Sequence, residues 1–162
     1  MADLAKFILI LFLLTLLIFL QGTRFLSFDG INPNLLFIFF SGLLLAPRFR
    51  DKIKLNFLLA LLFFSLLVTS FISGFWLMPW ILLAALVILI YFFRDFFTGR
   101  PLPDFLLVLG LGTLIFYGLL GIFTGGVLAG GFVLAEIAYN LILGGIFWCN
   151  LYILGKYVRS GT

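Results

Sequence analysis

Glu136 is the only acidic residue within an apolar stretch of this chain, and Asn140 follows it one helical turn later. A charged carboxylate near the middle of a bilayer costs about 3 kcal/mol. Glu136 must therefore sit near an interface, carry a proton or have a partner. On one reading it lies near the outer headgroups, favoured there by the positive end of its helix dipole. On the other it faces a helix bundle or a partner helix together with Asn140, with Gly144 and Phe147 continuing the same face. Asn140 lies deeper, where an amide bonds to another helix of the bundle or to a neighbouring protein.

The remaining polar side chains in apolar stretches offer less. Asn150 points away from the Asn140 face. Ser65, Thr69 and Ser73 recur every fourth residue and form a small polar stripe suited to close helix packing. Cys149, the one cysteine, stands beside Trp148 and is expected to be a small buried hydrophobe. The chain has no histidine, no second carboxylate in the apolar stretch of Glu136 and no glycine-rich phosphate loop ending in Gly-Lys-Ser or Gly-Lys-Thr. A carboxylate dyad, a histidine zinc site and a Ser/His pair are thereby excluded. No catalytic, cofactor-binding or metal-binding residue is expected.

The elements that must position these residues follow from composition and charge. With 65% hydrophobic and only 10% charged residues, the chain cannot make a water-soluble surface. Its 162 residues suffice for about six spans of roughly 20 residues. The net charge of +4 is dispersed in short gaps between apolar runs and not gathered on a basic face, so nucleic acid is not an expected partner. Lys6, the group Arg48, Arg50, Lys52 and Lys54, the pair Arg94 and Arg100, and the closing Lys156 and Arg159 fall beside alternate gaps, leaving only Arg24 opposite. The positive-inside rule then predicts six crossings with both termini in the cytoplasm. Arg48 to Lys54 also suit anionic lipid headgroups.

The expected architecture is all-α, a polytopic six-transmembrane-helix bundle forming a single membrane domain over 1–162. Helices are predicted at about 4–20, 31–46, 55–72, 76–93, 105–123 and 132–154. The first is read as a retained span, because Gln21-Gly22-Thr23-Arg24 offers no small-residue cleavage site. The second is short. Leu35 to Ala46 alone would rise about 18 Å against a hydrocarbon core of about 30 Å. It is therefore expected to begin at Ile31 or Asn32, with Asn32 as cap and Pro33 in the first turn. Trp76, Trp80 and Tyr91 suit the interfacial ends of the fourth helix. Thr98 to Pro103 reads as the strongest turn.

Gly118, Gly121, Gly125, Gly126, Gly130 and Gly131 cluster around the end of the fifth helix. Two readings stand: a broken helix whose backbone binds a solute, or close helix approach at Gly121 and Gly125 followed by an outer turn.

Two stretches carry a family resemblance. Asn32-Pro33-Asn34-Leu35-Leu36 opens a short apolar helix after an outer loop, and Ala138-Tyr139-Asn140-Leu141-Ile142 starts the deeper part of a last helix that ends in basic residues. In these stretches, in size and in the expected six crossings, the chain resembles the rod shape-determining protein MreD family. It departs from that pattern in its third helix, where Phe64 to Ser70 contains no Asp or Glu. The resemblance implies a non-enzymatic scaffold subunit of the bacterial cell-wall elongation machinery in the inner membrane. Its partners would be MreC and, through it or directly, RodA, its transpeptidase and MreB filaments. Pro33, Asn34 and Asn140 are carried over as helix-packing or partner-contact positions, and Glu136 joins them by its location. The alternative is a solute-binding subunit like the S component of energy-coupling-factor transporters, with a cavity near Gly125, Gly131 and Glu136.

Overall fold

The computed structural model describes residues 2–23, 26, 31–46, 53–73, 78–97, 100–125 and 130–160. Six α-helices follow one another: α1 (Ala2–Gly22), α2 (Leu35–Leu45), α3 (Leu55–Ser73), α4 (Met78–Phe93), α5 (Pro101–Thr124) and α6 (Gly130–Ser160). A single 3₁₀ turn, Arg94–Phe96, closes α4, and the described residues contain no β-strand. Among the described residues, three stretches, Met78–Phe96, Pro101–Thr124 and Gly130–Asn150, are long and apolar enough to cross a membrane. Their length and composition point to a membrane protein. The expected loop positions Arg24, Arg48, Arg50, Lys52, Gly74, Trp76, Thr98, Gly99 and Gly126 lie outside the described residues, as do the side chains of Lys6, Ser73, Lys156 and Arg159.

Helix α2 departs most from expectation. It starts at Leu35, not at Ile31 or Asn32, and its cap is Asn34, whose side chain accepts from the Phe37 amide at 3.1 Å. The reason is Pro33, which lies before the cap. Proline drives the residue ahead of it out of the helical region, so Asn32 stays non-helical. The Asn32 side chain instead donates to the Gln21 carbonyl at 3.0 Å. Helix α5 errs the other way, beginning at Pro101 inside the expected turn. Prolines at the start of a helix remove only amides that would lack helical partners, so Pro101 and Pro103 open this helix and do not delay it.

All eleven residues of α2 are buried, and α1, α4, α5 and α6 surround it. A buried helix needs no polar face, and α2 has none beyond Ser41. In lipid the gain from such packing comes from van der Waals contact and not from water release. Close fit is therefore what holds α2, and it requires small residues opposite large ones. Phe37 lies against Gly112 of α5, and any Cβ there would overlap its ring. Gly42 of α2 faces Phe147 of α6, where a Cβ would come within 2.6 Å of the ring.

Helices α5 and α6 pair along their length in antiparallel register. Four contacts recur every fourth residue on both: Phe105 with Trp148, Leu109 with Gly144, Thr113 with Asn140, and Tyr117 with Glu136. The first two rungs are apolar, with ring centroids 4.8 Å apart at Phe105 and Trp148. The last two are polar.

Candidate functional site

The polar rungs of α5 and α6 meet the start of α2. Asn140 is fully buried, and its Oδ1 accepts from the Asn34 backbone amide at 2.9 Å. Its Nδ2 donates to Thr113 Oγ1 at 3.1 Å, and the Thr113 hydroxyl donates in turn to the Leu109 carbonyl at 2.7 Å. One side chain thus joins α2, α5 and α6. Gln21 brings in α1, accepting from the Leu36 amide at its Oε1, 3.2 Å away.

This clasp has a clear physical task. The first four amides of any helix lack partners within it, and at a buried helix start the protein itself must supply them. In α2 the Leu35 amide bonds to the Pro33 carbonyl, Leu36 to Gln21, Phe37 to the Asn34 side chain and Ile38 to the Asn34 carbonyl. Asn140 takes the amide of the cap itself. Pro33, also buried, stands in the same segment, between the partly buried Asn32 and Asn34. Two buried side-chain atoms, Asn32 Oδ1 and Ser41 Oγ, have no partner among the described residues.

One turn further along the same face of α6, Glu136 is only 2% exposed and accepts a hydrogen bond from the Tyr117 hydroxyl. Of the two readings of Glu136, the geometry matches the one that turns it into the bundle beside Asn140. Tyr139, pointing elsewhere, donates to the Leu26 carbonyl at 2.6 Å and ties α6 to the connection after α1. The four residues singled out from the sequence fall inside the bundle: Pro33, Asn34 and Asn140 in the clasp, Glu136 one rung away. Gln21, Thr113, Tyr117 and Tyr139 were missed. Thr113 and Tyr117 repeat the four-residue spacing of Asn140 and Glu136, and that matched spacing was the available signal.

Other expectations change. Cys149 is exposed, not buried. Trp148 takes the inward position against Phe105, and the next residue on a helix is turned about 100° away. Helix α5 is unbroken to Thr124 and ends at Gly125, whose φ of 64° places it in the left-handed region. Among the described residues, nothing approaches within 4 Å of a Cβ at Gly118, Gly125, Gly130 or Gly131. Ser65 and Thr69 are buried and turn their hydroxyls back to carbonyls of α3 itself, those of Leu62 and Ser65. Asn150 is exposed and bonds to the Ile146 carbonyl on its own helix.

Chemically, the site pairs a carboxylate with a phenol and an amide with a hydroxyl and a backbone amide, each occupied by a group of the same chain. No cluster of three metal-ligating side chains occurs among the described residues. No protein-family model, curated protein or solved structure matches the chain.

Glu136→Gln is expected to keep an acceptor for Tyr117 and to change stability by under about 1 kcal/mol, whereas Glu136→Leu strands the phenol and costs about 1–3 kcal/mol. Chemical denaturation of the solubilised protein measures both. Equal losses in the two variants would mean that the hydrogen bond contributes nothing.

Proposed function

We propose that this chain is a non-enzymatic scaffold subunit of the bacterial cell-wall elongation machinery, seated in the inner membrane beside MreC. RodA, its transpeptidase and MreB filaments complete the proposed assembly. The observation that carries the reading is the meeting of the two stretches on which the MreD resemblance rests. Asn34 and Asn140 stand 106 positions apart and share a hydrogen bond. The two short motifs thus form one structural device.

The centre of the bundle also favours a scaffold over the solute-binding alternative. Helix α2 occupies that centre, and the polar groups around its start are turned on one another. A solute bound at Glu136 would have to displace the hydrogen bond from Tyr117.

Six crossings with both termini in the cytoplasm remain part of the proposal. Helix α2 rises about 16 Å, and the four residues ahead of it add up to about 13 Å of chain. Together they approach the hydrocarbon thickness of about 30 Å, which supports a crossing that the helix alone could not make.

Depletion of the protein in its own host tests the function. Rod-shaped cells should become spherical, and affinity-tagged protein should bring MreC with it from solubilised membranes. Unchanged cell shape on full depletion would refute the proposal.

A further inference from the structure

We draw no further inference here: the strongest candidate, the apolar groove of about 500 Å³ between α3 and α4 lined by Leu59, Leu66, Trp80, Ala84 and Ile88, carries none because nothing in the structure shows what covers it.

Discussion

Replacing Asn140 with leucine should destabilise the solubilised protein by about 2–3 kcal/mol, the largest loss expected from any single polar side chain here. The substitution conserves bulk but removes the acceptor of the Asn34 amide, which is enclosed at the start of α2. A buried backbone donor left without a partner costs about 1–3 kcal/mol, and neither lipid nor neighbouring side chains can replace water for it. Thr113→Val offers the comparison. It removes the acceptor of Asn140 Nδ2 and the hydroxyl's own bond to the Leu109 carbonyl of the same helix, but strands no backbone amide, and hydrogen bonds between membrane helices average about 0.6 kcal/mol. Denaturant titrations of both variants should therefore rank Asn140→Leu well above Thr113→Val. Similar small losses in the two would show that α2 is not held through this amide.

Gly112→Leu should have a still larger effect, about 3 kcal/mol or more, or prevent assembly of the bundle. Even one added carbon at Gly112 overlaps the Phe37 ring, and that ring is 2% exposed and has nowhere to turn. Overpacking a closed interior costs about 1–3 kcal/mol and occasionally more, and leucine adds further atoms that must displace α2 itself. Gly118→Leu, on the same helix but with open space around it, should change stability by under about 0.5 kcal/mol. Phe37→Ala combined with Gly112→Leu should recover part of the loss, since the removed ring vacates the space that the leucine enters. Yield of folded protein and its denaturation midpoint check all three. Equal behaviour of Gly112→Leu and Gly118→Leu would rule out the close approach of α2 to α5.

Much of the helix pattern was legible in the sequence because apolar length is a strong signal. The third helix was expected at 55–72 and is Leu55–Ser73, and the fourth was expected to end where it does, at Phe93. The ends governed by proline were harder, since the same residue stops one helix and starts another. Pro33 keeps its neighbour out of α2, while Pro101 lies in the first turn of α5. Only the position of the cap decides between these roles: Asn32 was expected to be the cap, and Asn34, the same residue type two positions on, is.

The site was legible in part. Glu136 and Asn140 stood out because polar groups are rare in apolar helices, whereas Pro33 and Asn34 came only through the family resemblance. Their partners did not stand out. A threonine or tyrosine is unremarkable in a membrane helix, and Gln21 lies at the very end of α1. The glycines misled for a related reason. A cluster near a helix end draws notice, yet Gly42, Gly112 and Gly144, within the helices, are the ones pressed against side chains of other helices. Spacing within one helix cannot show which residue of another helix lies opposite.

The account depends on α2 being enclosed at the centre of the bundle, and cysteine crosslinking between α2 and α6 tests this most directly. In a Cys149→Ala background, Gly42→Cys with Phe147→Cys uses the space vacated by the Phe147 ring, which otherwise lies against Gly42. A short bifunctional thiol reagent applied to isolated membranes should join these two positions efficiently. It should fail with Gly42→Cys, Phe147→Ala and Ile146→Cys, a combination that vacates the same space, because Ile146 is 55% exposed and turned away from the bundle. Efficient joining in the first pair alone is the expected result. No joining in the first pair, or equal joining in both, would contradict the buried position of α2.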